Sequence, residues 1–237
     1  MQNYKIHFIR HAITQGNLEG RYIGRTDLPI CDEGREVLNQ FQNECIYPGV
    51  DKIYTSPLRR CKETAELLFP QYPLTIVEDF TEVDFGDFEN KTMAELKDDE
   101  KYNLWVTDAL NNPPPNGEGY IDFLKRLYKG VDFVFKDMCK EGIYETAVIT
   151  HGGVIMSLLS AYGLPRLPMN EWFTENGTGF TILINPQMWL RDHMFEVFAK
   201  IPQNIEQLDT QWILERYNGY DDDYNDDNNE NEMNENM

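Results

Sequence analysis

Arg10 and His11 stand together where a short apolar run, Ile6 to Ile9, gives way to small and polar residues. Arg60 follows the β-branched run Lys52-Ile53-Tyr54-Thr55, and His151-Gly152-Gly153 follows Thr146-Ala147-Val148-Ile149-Thr150. Glu82 lies in an aromatic and acidic stretch from Phe80 to Glu89. Two arginines with two histidines make a pocket for a phosphoryl group. The planar guanidinium forks bind its oxygens, and one imidazole can attack phosphorus in line. Nearby positive charge lowers a histidine's pKa, which keeps a nucleophilic nitrogen unprotonated near neutral pH. A carboxyl group among aromatic walls has its pKa raised and can protonate a leaving alkoxide. Neither a metal nor a cofactor is needed, because arginine charge does the electrostatic work.

These groups can meet only if their strands end on one edge of a sheet. Strands are expected at Tyr4–Ile9, Lys52–Thr55, Pro73–Val77, Thr146–Thr150, Phe180–Ile184 and within Trp189–Phe198. Helices are expected from Asp32 to about Cys45, after Ser56, from Tyr120 to about Lys140, and from Val154 to Tyr162. Alternation of this kind calls for a three-layer α/β domain, a mostly parallel, doubly wound sheet flanked by helices. Ligands of such sheets bind beyond the carboxyl ends of the strands. Ser56 reads as an N-cap with Pro57 at the first helical position. Arg59 and Arg60 then fall in a first turn, where positive charge opposes the helix dipole and points to a bound anion. Gly152 and Gly153 allow close backbone approach to a ligand. Thr92 to Glu95 is a capping box, and Pro113-Pro114-Pro115 lies in a rigid connector. His7 reads as a packed strand residue and His193 as a surface one.

The chain has 237 residues and a formal net charge of −20, which argues against nucleic acid or an anionic membrane as partner. Eight acids lie between Asp221 and the end; without them the body still carries −12. Residues 218–237 read as a disordered Asp/Asn/Glu-rich tail behind a domain of residues 1–217. If the tail mimics an anion at Arg10 and Arg60, a chain ended after Tyr217 gains catalytic efficiency at low salt. Cys31, Cys45, Cys61 and Cys139 have neither pairing nor metal-ligand spacing, and read as reduced thiols, with Cys61 and Cys139 acting as small apolar helix residues. No signal-peptide pattern or bilayer-length apolar run is present, so a cytoplasmic location is expected.

The sequence resembles the histidine phosphatase superfamily, in its phosphoglycerate mutase-like branch, over about residues 4–200. The family's Arg-His-Gly opening matches Arg10-His11-Ala12, and its trailing Thr-x-x-Asn matches Thr14 and Asn17. Gly-x-x-Asp-x-Pro matches Gly24, Asp27 and Pro29, and Ser-x-x-x-Arg-x-x-x-Thr-Ala matches Ser56, Arg60, Thr64 and Ala65. Glu-x-x-Phe-Gly matches Glu82, Phe85 and Gly86, and His-Gly-Gly matches His151-Gly152-Gly153. The resemblance implies His11 as the nucleophile that forms a phosphohistidine and Glu82 as the proton donor. It implies that Arg10, Arg60 and His151 hold the phosphoryl group, with Asn17 and the backbone near Gly24 touching substrate.

The match departs from the family at several positions. Ala12 replaces Gly, Ile13 stands where mutases carry Glu, and Ile23 where they tend to carry Thr. Cys31 replaces a Thr or Ser helix cap, at an expected cost of about 1 kcal/mol. Gly119 takes the Ser position of a Gly-Glu-Ser helix entry, which weakens Glu118 as a substrate contact. Trp105 to Ala109 lacks the paired arginines of the mutase insertion. These departures favour a phosphatase of a small phosphorylated metabolite over a phosphoglycerate mutase. The third reading, a silent relative that binds phospho-ligands or a protein, has no use for both a nucleophile and an acid. The assembly, monomer or homodimer, stays open.

Overall fold

The structure is a computed structural model and describes residues 2–205. Its elements are β1 (Tyr4–Arg10), α1 (Gln15–Leu18), α2 (Asp32–Glu44), β2 (Lys52–Thr55), α3 (Arg59–Leu68), β3 (Leu74–Ile76), α4 (Met93–Leu96) and α5 (Glu100–Thr107). They continue as α6 (Tyr120–Glu141), β4 (Glu145–Thr150), α7 (Gly152–Tyr162), β5 (Gly163–Leu164), β6 (Gly179–Ile184), α8 (Pro186–Asp192) and β7 (Phe195–Ile201). The seven strands form one sheet in the order β3-β2-β4-β1-β6-β7-β5. β3, β2, β4 and β1 are mutually parallel, β6 runs antiparallel to β1 and β7, and β5 pairs parallel with β7. The sheet is mixed and mostly parallel, as the strand–helix alternation predicts.

Period-two alternation along the strands divides the core into two layers. Ile6, Phe8, Tyr54, Val148 and Ile182 pack with Leu127, Val131 and Val134 of α6 and Ile155 and Leu158 of α7. Ile9, Ile53, Ala147 and Ile149 face the other way, onto Leu38 of α2 and Cys61, Ala65 and Leu68 of α3. A third cluster joins Phe88, Leu96 and Tyr102 beneath Tyr22, Phe85 and Trp105. His7 lies buried on β1, between the Thr181 hydroxyl at 2.8 Å and a Glu145 carboxylate oxygen at 3.1 Å.

Several expected elements shift. α3 begins at Arg59 with Leu58 as N-cap, so Ser56 does not cap it and Pro57 precedes it. Cys31 does cap α2: its sulfur accepts from the Gly34 N–H at 3.4 Å. Thr14 and Asn17 form a reciprocal capping box on the unforeseen α1. The segment Trp189–Phe198 divides between α8 and β7, and the two-residue β5 is too short to leave a periodic signal. The four cysteines are free thiols; Cys61 is buried, whereas Cys139 is exposed on α6 and is not a core residue. Residues 218–237 lie outside the described residues, as does the proposed boundary at 217.

Candidate active site

The neighbouring parallel strands β2, β4 and β1 end level with one another: Arg10 pairs with Thr150, and Thr55 with Ile149. The ladder extends one residue further, with His11 N–H bound to Thr150 O at 2.8 Å and Ser56 N–H to Ile149 O at 3.0 Å. His11, Ser56 and His151 therefore leave one sheet edge from fixed backbone positions. The Ala12 N–H bonds Thr64 Oγ1 at 2.9 Å, and Asn176 Nδ2 donates to His11 O at 2.8 Å. Thr64 belongs to a matched motif; Asn176, from the chain ahead of β6, carried no sequence signal.

His11 is buried, and its Nδ1 lies 2.7 Å from Ala12 O. A carbonyl can only accept, so Nδ1 carries the proton and Nε2 presents a lone pair. Burial, reinforced by Arg60 and Arg10, holds the His11 pKa well below its ordinary value. The His151 ring lies 5.3 Å from the His11 ring, centroid to centroid. Its Nδ1 accepts from Arg60 Nε at 3.2 Å, which leaves Nε2–H to donate to Ser56 Oγ at 2.8 Å. Burial and then the Arg60 charge hold His151 neutral as well, with its pKa well below normal. Ser56, which the spacing assigned to a helix cap, orients this imidazole instead.

Arg60 is buried in the first turn of α3. Its Nη1 bonds Thr26 O at 2.8 Å and its Nη2 bonds Gly24 O at 2.9 Å. Asp27 accepts the Arg59 N–H at 2.6 Å, supplying the negative charge that α3 lacks in its own first turn. The exposed Arg59 side chain pairs with Glu63 at 2.6 Å. The basic pair thus has protein partners, and Gly24, Asp27 and Arg60 are parts of one clamp between loop and helix. Glu89 holds the same loop from the other side, accepting from Gly24 N, Arg25 N and Thr26 Oγ1 at 2.8–3.0 Å. A Cβ at Gly24 would collide with Val83 O. Glu89 gave no signal beyond its place in an acidic stretch.

Glu82 is buried, and accepts from its neighbour Val83 N–H and from Gly153 N–H, each at 2.9 Å. Burial raises its pKa despite those bonds and the charges of Arg60 and Arg10. A Cβ at Gly153 would sit 2.5 Å from a Glu82 oxygen, and one at Gly152 would sit 3.3 Å from Arg10 Nε. The Gly-Gly pair therefore lets the carboxyl and a guanidinium close on the start of α7. Arg10 donates to Thr174 O at 2.7 Å, with Phe173 5.9 Å from its guanidinium carbon. Arg126 forks onto Glu118 at 2.7 Å and bonds Asp79 O, Thr81 O and Glu82 O, fixing the turn that presents Glu82. It sits on the core helix α6, where periodicity marks only the apolar stripe.

Arg10, His11, Arg60, Glu82 and His151 are thus gathered at one sheet edge, with Gly24 against Arg60. Asn17 is linked to them through Asn176: its Oδ1 accepts from Thr14 N–H at 3.0 Å and lies 3.4 Å from Asn176 Nδ2, which donates to His11 O. Two neutral imidazoles, two guanidinium groups and one carboxyl of raised pKa suit nucleophilic attack on an anionic centre with proton donation to the group that leaves.

Residues 6–190 match the model of the histidine phosphatase superfamily (branch 1). Over 186 residues the chain is 28% identical to the adenosylcobalamin/alpha-ribazole phosphatase of Escherichia coli, covering 76% of this chain and 90% of that one. The crystal structure of the alpha-ribazole phosphatase from Shigella flexneri superposes with a TM-score of 0.69 at 26% identity, over 82% of this chain and 95% of that one. A phosphoglycerate mutase structure from Bacillus anthracis, 20% identical, superposes with a TM-score of 0.65 over 84% and 92% of the two chains and shares the fold.

Proposed function

Because the chain belongs to the histidine phosphatase superfamily (branch 1), we propose that it hydrolyses a small phosphomonoester through a phosphohistidine at His11. The single observation that carries this is the His11 tautomer, with Nδ1–H committed to Ala12 O at 2.7 Å. The free Nε2 lone pair attacks phosphorus, and the P–O bond to the leaving group breaks as P–N forms. Glu82, whose pKa burial raises, gives its proton to the departing oxygen. Water then attacks the phosphohistidine, P–N breaks, and the Glu82 carboxylate takes the proton released by that water. Arg10, Arg60 and His151 surround the transferring group, and the arginines stabilise its charge without a metal. His151 donates to a phosphoryl oxygen only after its Nε2–H leaves Ser56. Gly24 and Asn17 border the substrate through the loops that carry them.

Phosphatase is favoured over mutase by Ile13 and by Trp105 to Ala109, which hold neither the acid nor the paired arginines of mutases. The test is phosphate release from a panel of phosphomonoesters in excess chelator, for wild type and His11→Ala. Release that survives chelation and falls by at least about 10³-fold in the variant supports the reading. Isomerisation of phosphoglycerates without phosphate release would replace it with the mutase, and loss of activity in chelator would overturn the metal-free step.

A further inference from the structure

Arg25 sits at the centre of the loop that grips Arg60, yet its own side chain does no such work. Its flanking carbonyls, Gly24 O and Thr26 O, bind the Arg60 guanidinium, and its N–H bonds Glu89 at 2.8 Å. The backbone is therefore pinned while the side chain, 44% exposed, reaches towards Glu118. That approach is 3.9 Å, beyond hydrogen-bonding distance. Glu118 is already committed to Arg126, which takes both carboxylate oxygens at 2.7 Å. Two guanidinium groups thus share one carboxylate, and the weaker claim belongs to Arg25. The Glu89 carboxylate, the other acid against this loop, is engaged by backbone N–H groups and the Thr26 hydroxyl. Arg126, which holds Glu118, also donates to the main-chain O of Glu82 at 3.0 Å, so the Arg25–Glu118 pair is joined through one side chain to the residue proposed as the acid.

We propose that Arg25 recognises a second anionic group on the substrate, a carboxylate or a second phosphate carried a few atoms beyond the ester oxygen; this rests on the phosphatase reading above. A guanidinium offers either anion a planar pair of donors. In a chain of net charge −20, a half-exposed cation on the loop that grips Arg60 selects substrates that bring a negative charge to that side. A neutral leaving group would gain nothing from Arg25.

The assay compares leaving groups that differ only in the second anion. Phosphoserine against phosphoethanolamine tests a carboxylate, and propane-1,3-diol bisphosphate against the monophosphate tests a phosphate. Wild type should prefer the doubly anionic member of at least one pair, and the pair names the anion. In Arg25→Gln the preference, as a ratio of kcat/KM values, should fall about tenfold, the scale of one charge-assisted hydrogen bond at a half-exposed site. Arg25→Lys should keep part of it. A purely structural role would lower both members of a pair alike and leave the ratio intact, which would overturn the assignment, as would a wild type without preference. Turnover of p-nitrophenyl phosphate by wild type and His11→Ala reads the phosphatase step separately. Hydrolysis of that ester without anion preference removes Arg25 alone, and no hydrolysis of any ester removes both readings.

Discussion

Glu82 and His11 begin from ordinary pKa values in the wrong order for their proposed tasks. An acid must be protonated and a nucleophilic imidazole neutral, yet a free glutamate loses its proton below the pH at which a free histidine does. Burial raises the first and lowers the second, so the pH ranges in which each is competent move together. With an alkyl phosphate, activity should fall as acid protonates His11, on a limb below pH 6.5, and again as rising pH ionises Glu82. Glu82→Gln should flatten the alkaline limb and slow alkyl phosphates by about 10²–10⁴-fold. Formation of the phosphohistidine from aryl phosphates, whose leaving groups need no proton, should slow far less. An alkaline limb that persists in the variant would assign the acid to another group, and Asp84 and Asp87 follow Glu82 in the same acidic stretch.

At the scale of elements, the site depends on how the start of α7 and the loop before α2 meet the sheet edge. Gly153→Ala should push the Glu82 carboxyl away, because the new methyl would lie 2.5 Å from its oxygen. Alkyl phosphate turnover should drop with little change in fold, checked by kinetics beside circular dichroism. Glu89→Ala should cost about 2–3 kcal/mol in urea unfolding, because it strips acceptors from the Gly24 and Arg25 N–H groups and from the Thr26 hydroxyl. Strands β1, β2 and β4 were legible because buried parallel strands are short apolar runs that stop abruptly, and that stop located Arg10, His11 and His151. Braces such as Glu89, Arg126 and Asn176 were not legible. Most of their partners are backbone atoms dozens of residues away, and such pairings leave no periodicity. Ser56 was misread because Ser-Pro is a strong local start signal, and contact with His151 overrode it.

At the scale of the molecule, three buried histidines tie stability to pH. His7, His11 and His151 all have lowered pKa values, with burial the first cause of each. Unfolded, they bind protons near pH 6.5; folded, they resist. The stability they contribute is therefore complete above that pH and is lost as the pH falls through their lowered values. Tm measured from pH 8 to pH 5 should hold level and then decline below about 6.5. Inorganic phosphate should raise Tm at a fixed pH by binding the folded state, and an Arg60→Ala variant should lose that response.

The most direct test of the central claim is to quench the turning-over enzyme in alkali and map its peptides by mass spectrometry. A phosphoryl group on the peptide that contains His11, stable to base and lost in acid, is the predicted result. With an aryl phosphate as donor, whose leaving group needs no proton, it should build up further in Glu82→Gln, where activation of water is impaired, and be absent from His11→Ala. An enzyme that releases phosphate steadily with no phosphorylated His11 at any time point would contradict the account, and direct attack by water would replace it.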